Sequence, residues 1–143
     1  MTAGVEATST QRIPRVMVAE DDVDMAYVLE FLLSREGFQV DLVSDGRDAV
    51  RSIASEPAPD VVLLDVMMPF ISGFQVVRAI CDQPAWHGVP VIMVSGKGSE
   101  QDVVNALSAG ADDYLTKPFR PRELVARVRG LLARRASMNE RVA

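Results

Sequence analysis

Cysteine is nearly absent. Cys81 is the only one in 143 residues, so no internal disulfide can staple the fold. Histidine is as scarce: His87, the only one, lies in a Trp86-His87-Gly88 loop and reads as surface structure and not as a phosphohistidine. No apolar run approaches the ~18 residues needed to span a bilayer. The opening segment, MTAGVEATSTQR, has no apolar signal core. A cytoplasmic address is the default expectation. There is no glycine-rich phosphate loop, Walker pattern or kinase signature, which argues against a bound nucleotide. Aromatic residues are only 6% of the chain and are not interleaved with the basic ones, which disfavours a nucleic-acid surface.

What is present suits one globular domain: 143 residues, 48% of them hydrophobic, enough for a single core. The net charge of −5 is unevenly spread. Beyond residue 117, seven Arg stand against two Glu, so the first 117 residues carry −10. The basic end reads first as a solvated helix face and second as an interaction surface. Cys81 lies in an apolar helical pattern and reads as a small core or near-surface residue.

Residues 1–13 are small and polar, and a disordered leader is expected there. A rhythm follows. Arg15 to Ala19 is a short apolar run ending in acids, hence a buried strand. Val23 to Arg35 has Met25, Val28, Leu29, Leu32 and Leu33 on one helical face. Gly37 stops that helix, and Phe38 to Val43 alternates as a half-buried strand. Asp45 caps a second helix with Ala49, Val50 and Ile53 inward, which Pro57 and Pro59 break. Val61 to Leu64 is continuously apolar, as in a central parallel strand. Gly73 to Asp82 is helical with Phe74, Val77 and Ile80 inward, and Val91 to Val94 is a second central run. Ser99 and Asp102 form a capping signature for a fourth helix that Gly110 ends. Tyr114 and Leu115 mark a fifth strand. Pro121 opens a last helix with Leu124, Val125, Val128, Leu131 and Leu132 inward. Five strands alternating with five helices predict an α/β fold with a parallel sheet, whose sites lie beyond the carboxyl ends of the strands.

The strand ends carry the chemistry. The first strand ends in Glu20-Asp21-Asp22, the third in Asp65, the fourth in Ser95 and the fifth in Lys117-Pro118. Crowded carboxylates repel one another, and a cation relieves that repulsion. Oxygen donors without His or Cys favour Mg²⁺ or Ca²⁺ over zinc, and a site with spare positions for water and a phosphoryl oxygen favours Mg²⁺. Asp21 or Asp22 could instead cap the first helix, but capping does not explain a further acid at a buried strand end. Lys117 can pair with a phosphoryl oxygen, and Ser95 can donate a hydrogen bond to another. These are the parts of a phosphoryl-transfer site. With no nucleotide motif, the nucleophile must be a carboxylate, and Asp65 is the central one.

The segments VMVAEDD, VVLLDVMMPFISGF, VIMVSGKG and GADDYLTKPF, in this order, make the chain resemble the receiver domains of two-component response regulators over residues 14–135, with 136–143 as a tail. Asp65 lies 44 residues after Asp21, 30 before Ser95 and 52 before Lys117, separations typical of that family. The resemblance implies a flavodoxin-like strand order 2-1-3-4-5 with five helices on both faces. It implies that Asp65 accepts a phosphoryl group from a histidine kinase or phosphotransfer protein. It implies Mg²⁺ held by Asp21, Asp65 and the Met67 carbonyl, with Glu20 acting through water. Ser95 and Tyr114 match the switch pair, and Lys117 the phosphate-pairing lysine, aimed by a cis Lys117–Pro118 bond. Met67, Gly96 and Lys97 match positions that tune phosphate lifetime.

Three positions depart from the usual family residue: Glu20 for Asp, Ser95 for Thr, and Gly96 for Ala. The last predicts a short phosphate lifetime. The final segment is similar to receivers of winged-helix transcription factors, in which Asp113, Glu123 and Arg127 would support a symmetric dimer, although Val103 stands where a basic residue is usual. The output face would be the fourth helix, fifth strand and fifth helix. The fourth helix is poor in apolar anchors, which fits a mobile element. After Arg135 only ASMNERVA remains, so a free-standing receiver and a piece of a longer regulator both stay open. Competing readings are a pseudo-receiver that binds protein without phosphorylation, a metal-dependent phosphatase of small molecules, and a nucleic-acid module resting on the arginine-rich end. No membrane contact and no direct nucleic-acid contact are expected.

Overall fold

The computed structural model describes residues 12–96, 98 and 100–142. Most of the leader, Lys97 and Ser99 lie outside the described residues. The elements alternate: β1 (Arg15–Ala19), α1 (Val23–Arg35), β2 (Gln39–Val43), α2 (Gly46–Ser55), β3 (Val61–Asp65), α3 (Gly73–Asp82), a short 3-10 turn (Pro84–Trp86), β4 (Val91–Ser95), α4 (Glu100–Ala109), β5 (Asp113–Thr116) and α5 (Pro121–Val142). All neighbouring strands pair in parallel, in the order β2-β1-β3-β4-β5.

The sheet separates two apolar layers, and strand alternation assigns residues to them. Val16 and Val18 of β1, Leu63 of β3 and Val94 of β4 pack with Leu29, Leu32 and Leu33 of α1 and Leu124, Val128 and Leu131 of α5. Met17, Leu64 and Met93 face the opposite way, against Ala49 and Ile53 of α2, Val76, Val77 and Ile80 of α3, and Ala106 of α4. β3 and β4 are buried at every position, as strands covered on both faces must be.

Some inward expectations fail. Val28 is exposed, because the buried stripe of α1 is narrower than its apolar stripe. Leu42 is exposed because β2 is an edge strand with one open side. Trp86 is fully buried, its indole N–H donating to the Glu56 carbonyl at 3.2 Å, while His87 beside it is exposed as expected. The last helix runs to Val142, past the boundary drawn at Arg135. In α4 only Ala106 is buried, so that helix is lightly anchored. No helix among the described residues is long and apolar enough to cross a membrane.

Candidate functional site

Register sets the site. Ala19 lies beside Leu64, Asp65 beside Val94, and Ser95 beside Thr116. The residues that follow β1 and β5, and those that end β3 and β4, therefore emerge on one rim. Helix capping then separates the adjacent acids. Asp22 is the N-cap of α1, accepting from the amides of Asp24 and Met25 at 2.9 and 3.2 Å. That leaves Asp21, exposed, and Glu20, buried, to face the rim with buried Asp65. One carboxylate oxygen from each of Glu20, Asp21 and Asp65 lies within 4.8 Å of the others.

The electrostatics follow from this crowding. Burial first, then the side-chain contact and negative charge of Glu20, push the Asp65 carboxyl from 3.8 to about 7. The charge of Lys117 and the Met67 amide, which donates to Asp65 Oδ1 at 3.2 Å, offset only part of this. Lys117 Nζ donates to Glu20 Oε1 at 2.9 Å and stands 3.6 Å from Asp65 Oδ2. Burial acts to lower the lysine's pKa, but contact with Glu20 and the charges of both acids outweigh it and leave the pKa raised. Three carboxylates against one ammonium leave the rim short of positive charge. The donor set is all oxygen, so a small hard divalent cation fits what is missing.

Around this centre stand the other expected residues. Ser95 is buried at the end of β4, and its carbonyl accepts the Lys117 amide at 2.7 Å. Tyr114 is half-buried in β5 and packs against the α2–α3–α4 layer. The Lys117–Pro118 peptide bond is cis. Met67 presents an exposed side chain beside the acids. Gly96 is exposed in a bend, with open space where a Cβ would stand. Lys97 lies outside the described residues. Asp113, Glu123 and Arg127 form a cluster on β5 and α5, with Arg127 Nη1 bonding Asp113 at 2.7 and 2.8 Å and Nη2 bonding Glu123 at 3.1 Å, all within one chain.

Sequence reasoning missed the packing that holds the Asp65 loop. A Cβ on Gly73 would stand 2.6 Å from the Asp65 carbonyl oxygen and 2.9 Å from Val66 Cα, so the start of α3 must be glycine to sit against the end of β3. A Cβ on Gly46 would collide with the Ile71 carbonyl oxygen. Arg47 lies over the ring of Phe70, a residue with φ of 72°. The helix-starting glycines gave a weak local signal. The Arg47–Phe70 contact joins residues 23 apart and gave none.

A family model described as the response regulator receiver domain matches residues 16–129. The DNA-binding response regulator MtrA of Mycobacterium tuberculosis (strain ATCC 25618 / H37Rv) is 44% identical over 120 residues, which cover 84% of this chain and 51% of that protein. The phosphate regulon transcriptional regulatory protein PhoB of Escherichia coli (strain K12) is 40% identical over 124 residues, or 87% of this chain and 54% of that protein. The chain thus spans about half the length of these relatives. Among solved structures, the receiver domain of the sensor histidine kinase PA1611 of Pseudomonas aeruginosa PAO1, with a magnesium ion coordinated in its active-site cleft, matches with a TM-score of 0.78 at 32% identity, covering 85% of this chain and 99% of that one. With its rim of acids, its strand order and these relatives in agreement, the chain belongs to the response regulator receiver domain family.

Proposed function

We propose that this receiver is switched by phosphorylation of Asp65, with Mg²⁺ bound beside it. The observation that carries the reading is the joint placement of Glu20, Asp21, Asp65 and Lys117 on one rim, with three carboxylates and one ammonium in contact range. Asp21, Asp65 and the Met67 carbonyl would hold the ion, with Glu20 acting through water. Bound there, Mg²⁺ supplies charge neutralisation for phosphoryl oxygens. An Asp65 carboxylate oxygen forms a bond to phosphorus as the P–N bond of a donor phosphohistidine breaks. The leaving imidazole nitrogen keeps the bonding pair and takes up a proton. Lys117 pairs with one phosphoryl oxygen, and Ser95 donates a hydrogen bond to another. Hydrolysis reverses the modification: water attacks phosphorus, the O–P bond breaks, phosphate leaves and the carboxylate returns. The chain thereby assists its own phosphorylation and dephosphorylation while turning over no separate substrate.

The donor is a histidine kinase or phosphotransfer protein. Val23, Tyr27 and Phe31 project from α1 at helical spacing and are each well exposed, Val23 and Tyr27 sharing a surface groove with Glu20 and Asp21, and they would give such a donor an apolar seat. On phosphorylation, Ser95 moves toward the new charge, and Tyr114 follows into the space it leaves. The consequence reaches α4, β5 and α5, where the light anchoring of α4 lowers the cost of a shift. Two copies would pair through Asp113, Glu123 and Arg127 by exchanging the ion pairs now made within one chain. Any DNA-directed output belongs to the longer relatives and would require residues beyond this receiver.

The test is intact mass after incubation with Mg²⁺ and a small acyl-phosphate donor, beside Asp65→Asn. One added phosphoryl group, absent in the variant and without Mg²⁺, is the expected result. No adduct under rapid quenching would leave a protein-binding module with the fold and no phosphorylation.

A further inference from the structure

Phe70 is the one non-glycine residue among those described with a positive φ, 72°. A bulky side chain is rarely found in that region, and a residue kept there needs something to hold it. Burial does not, because Phe70 is 68% exposed; one backbone bond spans it, the Ile71 amide donating to the Pro69 carbonyl at 2.8 Å, and it leaves the ring itself unheld. What meets the ring is Arg47, whose guanidinium carbon lies 3.5 Å from the ring centroid. Arg47 is itself exposed, and among the described residues its guanidinium has no carboxylate partner. Its neighbour Gly46 packs without a gap against Ile71, the residue after Phe70. The first two residues of α2 therefore grip two consecutive residues of the loop that follows Asp65. The far end of the same loop is fixed by Gly73, which lies against the Asp65 carbonyl and donates its amide to Val66 at 2.9 Å. Between these anchors, the Met67 amide donates to Asp65 Oδ1 at 3.2 Å.

We infer that Arg47 is a positioning residue for the phosphoacceptor loop. Its stack on Phe70 holds the left-handed turn, the turn holds the Met67 backbone against Asp65, and the rim's affinity for a divalent cation depends on that placement. The cation half of this inference rests on the reading of the rim as a Mg²⁺ site. The loop half does not. Replacing Arg47 removes no group from the rim, and the loss of its positive charge would by itself favour a cation, so a weakening of Mg²⁺ binding must travel through the loop.

An exposed stack of this kind is worth about two- to fivefold in an equilibrium constant. Two measurements read it on the whole chain. Amide hydrogen exchange in the metal-free protein follows Met67, Ile71 and Gly73, and calorimetric titration follows Mg²⁺ binding. Arg47→Ala is expected to speed exchange of those amides about two- to fivefold and to weaken Mg²⁺ by a similar factor, leaving exchange in β1 and β4 unchanged. Arg47→Lys should restore part of both, since the cation returns without the flat guanidinium. Phe70→Leu removes the π face and keeps a bulky residue in the turn; in that background Arg47→Ala should have no further effect. Unchanged exchange in Arg47→Ala, or an equal effect of Arg47→Ala with and without Phe70, would overturn the inference. Should the wild-type protein bind no Mg²⁺, the metal reading and the cation half fall together, and the exchange measurement alone decides the loop half.

Discussion

Replacing Asp65 by Asn removes one of three carboxylates on the rim and keeps the shape of the side chain. Folding raises the Asp65 pKa from 3.8 to about 7, through burial first and Glu20 second. An acid raised in this way holds its proton more tightly in the folded state than in the unfolded one. Between pH 4 and 7 the folded chain then binds more protons, so stability falls as pH rises through that window and stays low above it. In full, a difference of this size corresponds to about 4 kcal/mol. Asp21 opens the rim to water and Lys117 stands 3.6 Å away, so about 1–2 kcal/mol is the expected share. The assay is urea unfolding at pH 5 and pH 8 in chelator, wild type beside Asp65→Asn. The wild type should lose about 1–2 kcal/mol more than the variant between the two pH values. Millimolar Mg²⁺ at pH 8 should return stability to the wild type and little to the variant, because a ligand that binds only the folded state stabilises it. If both proteins change in parallel between pH 5 and pH 8, the carboxylate crowding is not what raises the cost of ionising Asp65, and the argument for a cation there loses its electrostatic half.

Gly73→Ala forces a Cβ into the Asp65 carbonyl and should cost about 1–3 kcal/mol in chemical denaturation, with slowed phosphorylation from a small donor. Asp60→Ala strips a carboxylate that accepts the Arg15 amide at 2.7 Å and two bonds from Arg12, at the opposite end of β3 from the site. It should cost about 1–2 kcal/mol at pH 7 without changing phosphorylation of the folded protein. Burial acts to raise the Asp60 pKa, but the Arg12 and Arg15 bonds outweigh it and leave the pKa lowered, so this contribution should be present above pH 3.8 and fade as pH falls further. Gly96→Ala meets no atom within 4 Å, so the fold should accept it, and the decay of phosphorylated protein should slow severalfold; an unchanged decay would remove Gly96 as a determinant of lifetime. Sedimentation with and without phosphorylation should show a monomer becoming a dimer, and Arg127→Ala should abolish the change; a phosphorylated protein that stays monomeric would refute the pairing.

The parts of this protein that were legible in the sequence are those whose signal is local and periodic. The apolar runs at 61–64 and 91–94 could only be covered strands, and once the strands were placed, parallel topology put their carboxyl ends, and so Glu20, Asp65, Ser95 and Lys117, on one rim. Adjacent acids were not separable by the same means. Asp21 and Asp22 are chemically alike, and only the amides of Asp24 and Met25 decide that Asp22 caps the helix while Asp21 stays with the site. Val28 misled because apolar periodicity marks what a helix could bury, while the width of the buried stripe depends on what packs against it. Trp86 carried no signal of its burial, because the Glu56 carbonyl that accepts its indole N–H lies 30 residues away.

The same distinction explains why the acidic cluster on the rim was readable and the packing of the loop was not. Charge at a strand end is a property of one residue and its strand. The grip of Gly46 and Arg47 on residues 70 and 71 depends on where α2 sits, and α2 is anchored by the burial of Ala49 and Ile53 against the sheet. A positive φ at a phenylalanine cannot be read from composition or period, because it is imposed by the two elements that the loop joins and by the third that presses on it. The acids of the rim therefore indicate which class of ion would suit them, while the packing of α2 against the sheet bears on how firmly the backbone beside Asp65 is held.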